Sequence, residues 1–227
     1  MKIRIAISLS LMLLSTAFTV HAQQKELTRV DDAVRVLREF GTMKEDIPQE
    51  LLNISEGIII VPKMINAGFV IAGKRGRGIA LIKDEEGNWS DPVFITITGG
   101  SVGFQAGVQS VDLVLIFKNS ETLEEIGNGT FTLGGDVSAT AGPVGRSGTA
   151  TTDYKMEAEV YSYSKSKGLF AGISLSGAAI SVDRNANNLF YGEELSAADI
   201  FSQEGMENAS VALLKRELQV LYNGEVE

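Results

Sequence analysis

The chain has 227 residues, 44% of them hydrophobic, with 24 glycines, no cysteine, one histidine and a formal net charge of −9. That is enough apolar material for one large domain or two small ones, and it is not the composition of a disordered chain. The missing cysteines exclude disulfides, thiol chemistry and thiolate metal sites, and the acidic balance disfavours general nucleic-acid binding.

The first 22 residues, MKIRIAISLSLMLLSTAFTVHA, carry Lys2 and Arg4, then an apolar run, then Val20-His21-Ala22. This is the layout of a secretory signal with an A-x-A-like cleavage site. The expectation is a soluble protein, periplasmic or secreted, whose mature chain starts at Gln23. No cysteine near the cleavage site offers a point of lipidation. His21, the one histidine, leaves with the signal, which removes Ser-His and Cys-His machinery and imidazole zinc sites.

Residues 28 to 54 read as helical. Thr28 is an expected N-cap, Val30, Ala33, Val34, Leu37 and Phe40 recur at helical spacing, and Gly41 is a stop. That stripe faces either the core or a lipid surface. Pro48 suits the first turn of a second short helix ending near Ile54. GIIIVP is then a short strand, stopped by Pro62. AGFVIAG and GIALIKD follow as strands separated by KRGR, and DEEGN (Asp84–Asn88) is a hairpin turn. Further strand material is expected at Val93–Thr98, Ser101–Phe117, Phe131–Ala141, Lys155–Ser164, Leu169–Ser176 and Ala178–Val182, with one or two helical turns at Ser120–Ile126 capped by Ser120. Ser196-Ala-Ala-Asp199 resembles a capping box, and Val211, Leu214, Leu218 and Leu221 stripe a last helix (about 208–222) that Gly224 ends.

Most of the glycines fall in the β region, several within strands, including Gly103, Gly107, Gly134 and Gly172. Glycine inside a strand marks a bulge, a tight bend or a close approach of backbone. The fold class is therefore α+β: a curled, glycine-rich antiparallel β-sheet or partly closed barrel with N- and C-terminal helices packed on it. Residues 23–227 read as a single domain.

Three stretches, GNWSDPVFITITGGSVGFQAGVQSVDLVLIF (87–117), LGGDVSATAGPVGR (133–146) and YSYSKSKGLFAGISLSGAAI (161–180), resemble the SYLF domain, over roughly residues 30–200. That module binds lipid and occurs in bacterial exported proteins and in eukaryotic proteins near endosomes and actin. The eukaryotic members bind phosphoinositide membranes with help from an amphipathic N-terminal segment, and some bind actin. The resemblance implies a non-enzymatic lipid or membrane-surface module without a cofactor. An exported bacterial protein would rarely meet phosphoinositides, so they are not implied here.

The residues point to candidate head-group contacts in GKRGRG, where Lys74, Arg75 and Arg77 lie on a glycine-flanked strand connection, with Lys63 nearby. Lys165 and Lys167 in YSKSK are further candidates, and Arg146 sits in a glycine-rich loop. Neither a Walker loop nor a dinucleotide fingerprint is present. Asp183, Asn185, Asn187 and Glu194 fall at positions 1, 3, 5 and 12 of a calcium-loop template, although position 6 is Asn188 and the preceding segment is strand. Trp89 suits either packing on the sheet or stacking of a ligand. The expected partner is an anionic lipid or membrane surface, with no nucleic acid. A second reading is a structural or protein-interaction role toward another envelope protein, and a third is a carboxylate-based hydrolase.

Overall fold

The computed structural model describes residues 23–43, 47–68, 71–102, 107–127, 129–142, 157–166, 169–170, 175–203 and 205–224. The expected signal segment, Lys167, Arg146, Gly103 and Gly172 lie outside the described residues. Helix α1 (residues 23–41) already runs by Gln23. Thr28 is thus inside the helix and not its cap, and its hydroxyl donates to the Gln24 carbonyl at 2.9 Å. Helix α2 (Gln49–Asn53) follows Pro48, which stands at its N-cap.

Four long strands come next: β1 (Gly57–Gly68), β2 (Ile71–Ile82), β3 (Val93–Val102) and β4 (Gly107–Phe117). Pro62 does not end β1. A bulge between Val61 and Met64 absorbs it and shifts the register against both neighbours, which is where a strand tolerates proline. GKRGRG is likewise not a connection but the middle of β2, and the expected strand at Ser101–Phe117 is divided between β3 and β4. After α3 (Glu121–Ile126) come β5 (Thr130–Leu133) and β6 (Ala139–Ala141), so Gly134 is a turn residue with φ of 75° and not a strand glycine. Ser120 makes no side-chain cap to α3. The chain ends in β7 (Val160–Ser166), β8 (Leu169–Phe170), β9 (Ala178–Val182), α4 (Arg184–Tyr191), α5 (Ala197–Ser202) and α6 (Ala209–Asn223). The Ser196–Asp199 capping box is present before α5, Gly224 closes α6 in the left-handed conformation, and Asn208 caps the start of α6.

The sheet order is β5-β9-β3-β2-β1-β4-β7-β6, with β8 on β7. All pairings are antiparallel except β6 with β7. The two outermost strands in that order, β5 and β6, are joined by the short segment 134–138. There Leu133 bridges Val137, and the Gly134 amide donates to the Val137 carbonyl at 2.8 Å. The sheet thereby curls into a nearly closed barrel.

Alternation along each strand then gives two cores. Inside lie Ile59, Val61, Met64, Ile95, Ile97, Leu113, Leu115 and Phe117, plugged at one end by Leu123 and Ile126 of α3 and by Ile200 and Phe201 of α5. Outside, Ile58, Ile60, Ile79, Leu81, Phe94, Val114 and Ile116 are covered by α1, α2, α4 and α6. Each such side chain contributes about 1.5–3 kcal/mol by leaving water. Among the described residues no helix is long and apolar enough to cross a membrane.

Candidate functional site

The stripe on α1 packs inward. Val30, Ala33, Val34, Leu37 and Phe40 are all buried against the barrel, which decides between core and lipid for these residues. The polar side of α1 is fastened to the strands by ions. Arg35 is held by Glu39 at 2.7 Å and by both oxygens of Asp112 at 3.2 and 3.3 Å. Those bonds, to Asp112 above all, keep its guanidinium above its ordinary pKa. Lys165 of β7 reaches Glu39 at 2.6 Å. Burial pushes the Glu39 carboxyl up, but the hydrogen bonds from Lys165 and Arg35 outweigh it and leave the pKa lowered. Lys63 sits at the β1 bulge with φ of 51°. Its amide donates to Asp112 at 2.8 Å and its ammonium to Asp32 at 2.9 Å. Lys63 and Lys165 are thus clamps for α1, each already facing a carboxylate.

Strand alternation separates the GKRGRG cations. Arg75 and Arg77 point outward, whereas Lys74 points into the barrel and is only 7% exposed. Burial lowers the Lys74 pKa. Arg77 lies 4.0 Å from Asp183, which also meets the buried Arg29 at 3.5 Å. Arg29 pairs with Glu26 at 2.7 Å and lies over the Phe94 ring, 5.1 Å from its centroid. Burial pushes the Glu26 carboxyl up and the Arg29 guanidinium down, against their mutual attraction. Of the six predicted contacts, the structure therefore sets Lys63, Arg75, Arg77 and Lys165 on the outer side and Lys74 on the inner side, while Lys167 lies outside the described residues.

Among the described residues the helices cover only part of the outer wall. Past the bulge the outward positions are Ile65 and Ala67 on β1, Gly73 and Arg75 on β2, Thr98 and Gly100 on β3, and Val108 and Ser110 on β4. Val108 is 78% exposed and Ile65 43%. A side chain at Gly73 would meet nothing within 4 Å. No carboxylate stands among these eight positions in a chain that has 29 Asp and Glu residues, and Arg75 makes no ion pair among the described residues. This is a small-residue face with an apolar pair and a positive charge.

On the inner side of the same strands the lining changes character. Asn66 of β1 stands in register with Lys74 of β2 and Gln109 of β4, and Lys74 with Gly99 of β3. These polar side chains sit one row beyond the apolar level of Met64, Ile97 and Val111. Sequence reading missed Asn66, Gln109, Ile65 and Val108. The alternation through residues 102–109 was the available signal, but the bulge at Pro62–Lys63 hid which face each β1 residue takes.

The calcium template is overturned. Residues 184–191 form α4, and Asp183 spends its side chain accepting from the Ala186 amide as N-cap. Asn187 is buried, accepting from the Phe94 amide at 2.8 Å and donating to its carbonyl at 3.2 Å, so it pins α4 to β3. Trp89 packs edge-on against Tyr222 of α6, with ring centroids 4.8 Å apart and the Lys83 ammonium 4.6 Å from the Tyr222 ring. Carboxylates do line a cleft of about 900 Å³ at the plugged end, with Glu56, Asp84, Glu85, Glu86 and Glu124 around it. Glu56 there accepts the Ser120 amide at 3.0 Å and so ends the loop before α3.

Residues 98–221 match the family Ysc84, described as "Las17-binding protein actin regulator". A relative called LAS seventeen-binding protein 3, from Saccharomyces cerevisiae, is 39% identical over 159 residues, covering 69% of this chain and 34% of that protein. Protein YSC84 of the same yeast is 37% identical over 179 residues, covering 75% and 38% respectively. The Bos taurus SH3 domain-containing YSC84-like protein 1 is 35% identical over 175 residues, covering 74% and 51%. The chain spans between a third and a half of the length of these curated relatives.

Proposed function

This chain belongs to the Ysc84 family, the SYLF resemblance being the same one, and from that premise we propose that it is a non-catalytic protein-interaction module. The observation that carries the reading is the part of the outer wall that the described helices leave uncovered, with Val108 and Ile65 exposed. Val108 and Ile65 supply an apolar anchor, Arg75 a charge, and Gly73, Thr98, Gly100 and Ser110 a surround of small side chains. A flat partner surface can approach such a wall closely, and the charge favours an acidic one. The family's description as a Las17-binding actin regulator, and the name of the yeast relative, LAS seventeen-binding protein 3, fit a contact role. Las17 and actin are accordingly the first partners to try in vitro, and with residues 1–22 acting as an export signal the partner in the cell is an envelope protein. Purified chain is expected to bind one of them, and Val108→Glu or Arg75→Glu to weaken that binding by at least about tenfold, or about 1.4 kcal/mol. Binding to neither, with the fold verified by circular dichroism, removes the reading.

A second reading is favoured by the same Arg75 and Val108: docking on an anionic membrane surface. It predicts co-flotation with acidic liposomes that salt weakens and that Arg75→Glu abolishes. We also infer export, from the pattern of residues 1–22. N-terminal sequencing of the protein from cells is expected to begin at Gln23, and an intact Met1 excludes cleavage.

A further inference from the structure

We propose that the cleft at the plugged end of the barrel docks a cationic segment of a partner protein, one that carries lysine or arginine side chains spaced along an extended chain with an apolar side chain between them. The cleft is at the other end of the strands from the uncovered outer wall and does not depend on it. Its occupant is read from its lining. Ile54, the residue that ends α2, is one of three large apolar side chains exposed among the described residues, and the other two, Ile65 and Val108, belong to the outer wall. Ile54 lines the cleft with the half-buried Ile82 and the exposed Ala198. The same cleft is lined by Glu56, Asp84, Glu85, Glu86 and Glu124. Lys83 is the one cation among the lining residues, and its ammonium lies against the Tyr222 and Trp89 rings, 4.6 and 5.6 Å from their centroids. Glu85, Glu86 and Glu124 make no ion pair among the described residues.

The layout of charge selects among cations. Among the described residues no three carboxylates come close enough to hold a metal ion. They are instead spread around a space of about 900 Å³, which suits several separate ammonium or guanidinium groups, each meeting its own carboxylate. A chain segment brings separated cations and an apolar side chain together, and a metal ion brings neither. A second copy of this chain, with its net charge of −9, and an anionic membrane are both repelled by such a rim. The walls are tied in place. The Lys83 amide donates to the Glu56 carbonyl at 2.7 Å, and the Glu56 amide to the Phe117 carbonyl at 3.0 Å. Asp84 accepts the Asn88 amide at 2.7 Å and so fixes the turn that carries Glu85 and Glu86. The Ser55 hydroxyl donates to the Tyr222 hydroxyl of α6 at 3.0 Å. A cleft set before binding loses less freedom when it is filled.

The test follows the fluorescence anisotropy of a labelled peptide of alternating lysine and leucine on the full chain, beside an oligolysine of the same charge and a peptide of alternating glutamate and leucine. The lysine–leucine peptide is expected to bind and the oligolysine to bind about fivefold more weakly. The glutamate–leucine peptide should not bind, and salt should weaken both cationic complexes. Glu85→Gln with Glu86→Gln should cost at least about tenfold. The same change of charge at Glu193 and Glu194, exposed and outside the cleft, should cost less than about twofold. Ile54→Ser should make the two cationic peptides equal. Val108→Ser, which alters only the outer wall, should leave peptide binding unchanged, so failure of the protein-contact reading there and failure of this one are separable. No binding of the lysine–leucine peptide overturns the proposal. So do equal losses in the two double variants, which would make the charge of the whole chain responsible, and an Ile54→Ser variant that keeps the leucine preference. Displacement of the peptide by calcium at constant ionic strength would reassign the cleft to a metal ion and overturns it as well.

Discussion

The plugged end of the barrel and its opposite end are made from the same four long strands, β1 to β4, yet among the described residues they are filled differently. Toward the plug, Leu113, Leu115 and Phe117 interlock with Leu123, Ile126 and Ile200, and helices cover the outer wall as well. Toward the opposite end, the inner positions turn polar at Asn66, Lys74 and Gln109, and the outer positions shrink to glycine, alanine, threonine and serine around Ile65 and Val108. The turnover point is the bulge at Pro62–Lys63, held from outside by Asp32 and Asp112. One half of each strand is therefore packed on both sides, while the other half carries small and polar residues around an exposed apolar pair.

Mutations measure how sharp that division is. The largest effect is expected from Phe117→Ala, which leaves a cavity under the plug and should cost about 3–5 kcal/mol in denaturant unfolding. A loss below about 1 kcal/mol would mean that the plugged end is not tightly packed. Next comes Gly78→Ala. Its new methyl would lie 2.2 Å from the Ile60 carbonyl oxygen, a backbone atom that cannot swing aside, and a loss of about 3 kcal/mol is expected. Gly73→Ala, on the same strand but in the half beyond the bulge, meets nothing within 4 Å and should raise stability by about 0.4–1 kcal/mol through the unfolded chain. Equal losses at Gly73 and Gly78 would abolish the distinction between the two halves.

The smallest effect is expected from Glu39→Gln in the half-exposed clamp, below about 1 kcal/mol near neutral pH. Because the folded pKa of Glu39 is lowered, its contribution is complete above the unfolded carboxylate range and disappears as pH falls through the lowered value. Wild type and Glu39→Gln should therefore converge in acid, and a gap that persists there would assign the effect to something other than the ion pair.

Much of the scaffold was legible beforehand. The helical stripes of α1 and α6, the capping box at Ser196 and the glycine at 224 are local codes, set by i, i+3, i+4 spacing and by orphan amides that need a cap. The curl of the sheet was legible as well, from glycine density. The site was less so. Reading KRGR as a connection placed Lys74, Arg75 and Arg77 in one cluster, whereas a strand sends neighbours to opposite sides. Asp183 and Asn187 read as a calcium template because their spacing matched, although the structure uses them to start α4 and to tie it to β3.

By itself the sequence determined the classes of element, the apolar stripes, the absence of thiol chemistry and the acidic charge, all of which depend on residue type and short-range spacing. Only the tertiary structure decided which side of each strand faces the barrel interior. One extra residue at the Pro62–Lys63 bulge reverses every inward and outward position beyond it, and a period-two pattern contains no record of that reversal until the neighbouring strands fix the register.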